Sequence, residues 1–86
     1  MSQRVFVSNR EELFRLIYDF ENRKSVAQTN RTNLRRVLSN YLKRQSSISP
    51  VVVQSMHQRL HDLDREIAWY AEELRGMTRQ YDAWLT

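Results

Sequence analysis

The chain of 86 residues contains no cysteine. That excludes a disulfide framework, a thiolate metal site and a cysteine nucleophile, and it leaves helix packing or oligomerisation to supplement a thin core. It also fits a cytoplasmic localisation, which is the expected one. Glycine and proline occur once each. So few breakers favour long regular elements with few turns, and they leave no material for a glycine-rich phosphate loop. The longest unbroken apolar run, Ile67 to Ala71, is five residues, against the roughly 20 needed to span a bilayer. The start, MSQRVFV, has three apolar residues in a row, too few for a signal-peptide core. Neither a leader nor a membrane partner is expected.

One more absence is local. No Asp or Glu stands between Glu21 and Asp62, although the chain has ten acidic residues. Over the same forty residues Arg23, Lys24, Arg31, Arg35, Arg36, Lys43, Arg44 and Arg59 are positive. Solvated helices usually mix both signs, so this block is the feature that a functional reading has to explain.

What is present is helical periodicity. Ser49 and Pro50 make an N-cap followed by a proline at the first helical position. From there Val53, Met56, Leu60, Leu63, Ile67, Tyr70, Leu74, Met77, Tyr81 and Trp84 follow three-four spacing, a heptad seam. Upstream, Ser8 or Asn9 with Glu11 or Glu12 resembles a capping box. Leu13, Ile17, Phe20, Lys24, Ala27, Arg31, Leu34, Leu38 and Tyr41 then keep the same spacing. The expected fold is all-α: an antiparallel two-helix hairpin with a coiled-coil-like heptad seam, assembling into a larger helical bundle. Residues 1–9 form an N-terminal extension, and residues 10–86 one domain with helix 1 at about 10–45, a turn at 46–49 and helix 2 at about 50–85. The alternative is a break in the polar stretch AQTNRTN, whose Asn and Thr residues are weak helix formers, giving three helices.

Folding the hairpin about residue 48 sets small residues beside large ones, Ala27 near Trp69 and Tyr70, and Phe20 near Gly76. It also sets Lys24 near Glu72 and Glu73, and Arg31 near Glu66 and Asp62, pairs expected to fix register. Eight of nine aromatic residues fall at the open end, and only Tyr41 lies near the turn. Trp69, Gly76 and Ala83 recur at seven-residue spacing off the seam of helix 2, with Trp84 close by and Phe14 and Tyr18 off the seam of helix 1. These six are the expected interface for self-association or a protein partner, with cover by the N-terminal RVFV as the simpler alternative.

Chemistry is sparse. His57 and His61 stand one turn apart with Asp64 beyond them, a spacing that can chelate a divalent ion, but Gln58 occupies the place where a metallohydrolase needs Glu. No metal, cofactor or catalytic residue is expected. The octapeptide LHDLDREI resembles a helix of chorismate mutase, and the nineteen residues after it are too few for the rest of such a site. The expected function is non-enzymatic. Arg35, Arg36, Lys43, Arg44 and Arg59 at the turn end bind a negatively charged partner, nucleic acid or a nucleotide or other phosphorylated ligand. The alternative is a small inhibitor or adaptor that docks a helical face on an acidic target protein. Base-stacking aromatics are missing from this half, which argues against single-strand readout.

Overall fold

A computed structural model describes residues 9–44 and 47–85. The N-terminal extension through Ser8, with the fold-back expected of RVFV, lies outside the described residues, as do Gln45 and Ser46 of the turn and Thr86. The chain is an αα-hairpin of two helices, α1 (Arg10–Arg44) and α2 (Pro50–Leu85). Three contacts at increasing distance from the turn show the antiparallel course. The Ser49 N–H donates to the Tyr41 hydroxyl at 3.0 Å beside the turn. Arg31 meets Asp64 further along, and the rings of Phe14 and Tyr81 meet at 6.3 Å near the open end.

Both helix starts are made as their sequences dictate. Asn9 Oδ1 accepts the N–H of Glu11 at 2.8 Å, satisfying one of the donors left over at a helix N-terminus. Glu11 and Glu12 lie in the first turn of α1 and Lys43 and Arg44 in its last, each complementing the helix dipole. At α2 the Ser49 carbonyl takes the first helical N–H, from Val53, at 3.2 Å. Pro50 then opens the helix where its missing N–H costs nothing.

α1 runs unbroken through the polar stretch at 27–33, so the three-helix alternative does not form. Packing overrides weak propensity there. Ala27 is buried, Arg31 and Leu34 are half-buried, and the Thr32 hydroxyl donates back to the Gln28 carbonyl at 3.1 Å.

The core is a single strip between two rods. Every member of the three-four series on α1 is buried or half-buried, and on α2 Trp84 alone of its ten is exposed. The main cluster, Leu13, Phe20, Tyr70, Leu74 and Met77, belongs to the open half, with Leu16, Ile17 and Tyr81 packed against it. Towards the turn the buried hydrophobics thin to Ala27, Leu38 and Leu63. Phe20 corrects an expectation: its ring stands 5.6 Å from both Trp69 and Tyr70 rather than beside Gly76. Gly76 falls two residues from Leu74, turned off the helix contact, and a Cβ there would meet nothing within 4 Å.

With Leu63 fully buried in the thin half of the strip, Leu63→Ala should cost about 2–4 kcal/mol. For a chain of this size that is a fall in Tm of about 10–25 °C, measurable by circular dichroism. Val51→Ala, at a side chain 71% exposed, should shift Tm by less than about 3 °C.

Candidate anion-binding site

The turn half owes its charge to side chains alone. The C-terminus of α1 and the N-terminus of α2 meet there, and their dipoles, negative and positive, largely cancel. Two of the eight cations are used within the chain. Arg23 Nε pairs with Asp19 at 3.0 Å along α1, and Arg31 Nε lies against Asp64 across the hairpin. Lys24, Arg35, Arg36, Lys43, Arg44 and Arg59 make no ion pair or hydrogen bond among the described residues. Five of these six are the residues expected to bind an anion.

The fold does not collect those five on one face. At 3.6 residues per turn Arg36 and Lys43 fall on the side of α1 away from α2, and Arg35 and Arg44 flank opposite sides of the contact. Two grooves run along those flanks. One, of about 480 Å³, has Arg31, Arg35 and Ser39 on its α1 wall and His57, His61 and Asp64 on its α2 wall. Leu38, Leu42 and Leu60 supply its apolar surface. The other, of about 280 Å³, holds Arg59 with Arg23, Asn22, Asn30 and Glu66. Positive charge therefore surrounds the turn half instead of forming a single reading surface.

The pairing of the polar residues inside the helix contact differs from expectation. Arg31 takes Asp64, neither Glu66 nor Asp62. Asp64 follows Leu63 and sits one turn beyond Leu60, which turns it to the flank that Arg31 occupies. Asp62 and Glu66 are two residues away on either side, about 200° around the helix. Glu66 lines the opposite groove, and Asp62 accepts a hydrogen bond from Gln58 at 3.0 Å. Lys24 is half-buried without an acidic partner among the described residues, and Glu72 is held by Arg75 at 3.2 Å within α2. Glu73 is the buried charged residue of the described chain, at 8% exposure. Arg31 Nε is out of solvent and makes no hydrogen bond, so its contact with Asp64 is one of charge without directed geometry.

The expected interface residues divide. Phe14 and Tyr18 are 58% and 65% exposed, and the Phe14 ring flanks the helix contact, 6.3 Å from Tyr81 of α2. Gly76, Ala83 and Trp84 are exposed along α2. Trp69 is 43% exposed, yet its ring packs 5.6 Å from Phe20 and 5.1 Å from Tyr70, so part of it completes the chain's own core. Sequence reasoning passed over a second apolar group, Leu42, Ile48, Val51 and Val52, all exposed around the turn. Their off-period placement beside the SSISP punctuation was the available signal.

Among the described residues no group of three His, Cys, Asp or Glu is placed to hold a metal ion, and no helix is long and apolar enough to cross a membrane. Comparison with protein-family models, curated proteins and solved structures finds no match.

Because the pair still reaches solvent, with side chains 37% exposed at Arg31 and 51% at Asp64, Asp64→Asn should change stability by only about 1 kcal/mol. It should also raise the positive charge of the larger groove. Thermal melts together with anion affinity, expected to rise in the variant, check both effects.

Proposed function

We propose that this chain is a non-enzymatic, self-associating helical interaction protein whose turn half binds a polyanion, nucleic acid or a nucleotide, in a cytoplasmic setting. The observation that carries the reading is the set of cations with no ion pair or hydrogen bond among the described residues, Lys24, Arg35, Arg36, Lys43, Arg44 and Arg59, in a stretch of sequence with no acidic residue. Left together they repel one another, and a polyanion relieves that repulsion while releasing its own counterions. Their spread over several sides suits contact with a phosphate backbone more than the reading of base edges. Replacing Arg36 and Lys43 together by Gln should weaken binding to any duplex sequence alike. The slope of log affinity against log salt should fall by about two units, with helix content unchanged. If the unaltered chain ignores nucleic acid at about 50 mM salt, where phosphate contacts are strong, the polyanion reading fails.

A second reading is favoured by one observation. Leu42, Ile48, Val51 and Val52 give the basic end an exposed apolar component, which phosphate does not use. An inhibitor or adaptor docking on an acidic protein would use both. Binding that persists at high salt and is lost on Val51→Ser would select this reading.

The self-association rests on the shape of the rod, 60 × 23 × 15 Å, with a radius of gyration of 17.8 Å against about 12 Å for a compact chain of this length. One layer of helices leaves each outer face in water, and a second copy, which carries the same apolar faces, is the occupant proposed here. Phe14 and Tyr18 are the anchors in this proposal, with coiled-coil-like heptad packing inside each hairpin and assembly of hairpins into a bundle. Phe14→Ala with Tyr18→Ala should lower the mass seen by sedimentation and make Tm less dependent on concentration. A stable monomer of the unaltered chain at about 100 µM contradicts it.

A further inference from the structure

The larger groove has a composition that the general basic character of the turn half does not require. We propose that it is a phosphate-binding site that takes a phosphomonoester of mononucleotide size. The proposal rests on the reading of the turn half as an anion-binding end and goes further, by giving one ligand class a defined place.

Four observations carry it. The groove is donor-rich: Arg31, Arg35, Ser39, His57 and His61 converge from both helices, and Arg35, Ser39, His57 and His61 make no hydrogen bond or ion pair among the described residues. Its single carboxylate, Asp64, is already engaged by Arg31. With both imidazoles neutral the lining keeps one net positive charge, two guanidinium groups against one carboxylate. A planar guanidinium and two ring N–H donors suit the several oxygens of a phosphate. Second, Arg31 Nε is out of solvent without a hydrogen bond, so the side chain is held close to the helix contact and its rotamer freedom is already reduced. Third, Leu38, Leu42 and Leu60 provide apolar surface next to the donors. That combination matches a ligand with an anionic head and a flat, weakly polar body better than it matches inorganic phosphate alone. Fourth, the volume of about 480 Å³ lies in the usual range for small-ligand clefts, about 300–1,000 Å³. Aspartate and lysine face this groove from neither helix apart from Asp64, so the cationic groups named are those that set its charge.

The experiment titrates adenosine 5′-monophosphate, inorganic phosphate and adenosine separately into the intact chain, followed by amide and imidazole NMR shifts. The monophosphate should bind most tightly, shifting resonances of Arg35, His57 and His61. Phosphate should follow more weakly, and adenosine should do nothing up to about 1 mM. Arg35→Gln should weaken the monophosphate at least about tenfold, the loss expected for a charged hydrogen bond. His61→Gln, at an exposed position without a hydrogen bond or ion pair among the described residues, should weaken it as well, and it keeps the test readable where Arg35→Gln disturbs the fold. The Arg36→Gln, Lys43→Gln pair should leave monophosphate affinity within about twofold, because neither residue lines the groove.

Absence of shifts, or equal weakening by Arg35→Gln and by the Arg36, Lys43 pair, overturns the groove as a site. Duplex DNA measured in parallel separates the two claims. Duplex binding without monophosphate binding overturns the groove and keeps the polyanion reading. Monophosphate binding confined to the groove, with no duplex binding, keeps the groove and overturns the nucleic-acid part of the reading.

Discussion

Everything else in this molecule depends on one strip of contact between two antiparallel helices. Neither helix has another partner within the described chain, so each exists because the other covers its apolar stripe. A helix of 35 residues with a mean composition this polar would be marginal alone in water. The strip is uneven, and the unevenness organises the rest. Aromatic and aliphatic bulk is concentrated at the open half, with Leu13, Phe20, Tyr70, Leu74 and Met77. Nearer the turn the same strip includes Ala27 and Arg31, residues that let the helices meet without filling the space beside them. The larger flanking groove lies in this thinner half, and the smaller one runs from it as far as Tyr70 of the dense cluster.

Charge follows the same division. Carboxylates stand mainly where the packing is dense, and within the described residues two of the three ion pairs, Arg23 with Asp19 and Arg75 with Glu72, lie along single helices. Arg31 with Asp64 is the ion pair that crosses between helices. One such pair helps choose register more than it adds stability, because shifting the helices by a turn would leave a half-buried guanidinium beside apolar groups. The cations beyond it towards the turn have no ion pair among the described residues. A half with fewer packed contacts opens locally at lower cost, which is where adaptable binding is expected.

The fold was legible because helix periodicity is a property of many residues at once. Ten apolar positions on α2 and nine positions on α1, seven of them apolar, share one spacing, and a single proline marks the turn, so two polar intrusions could not obscure the pattern. Lys24 and Arg31 keep the period although they break its chemistry. The exact partners were not legible. Whether Arg31 reaches Asp62, Asp64 or Glu66 depends on rotation of α2 by less than a turn, which the spacing of apolar residues fixes only loosely. The same rotation decided that Phe20 meets Trp69 and Tyr70 while Gly76 faces away. For the site, the cations were evident from the charge block, but the grooves were not. His57 and His61 looked like a chelating pair on one helix, and only the pairing of the helices sets Arg31, Arg35 and Ser39 opposite them.

The central claim is that the two ends of the rod have different work, with anion binding confined to the turn half. Backbone amide shifts mapped on the whole chain during titration with a nonspecific DNA duplex, at about 50 mM salt, test it most directly. The predicted result is a gradient. Perturbations should be largest between residues 31 and 61, on both helices, and should fade towards Leu13 and Met77 at the open end. Perturbations centred on Phe14, Tyr18 and Trp69, or spread evenly along the rod, would contradict the division of the molecule proposed here.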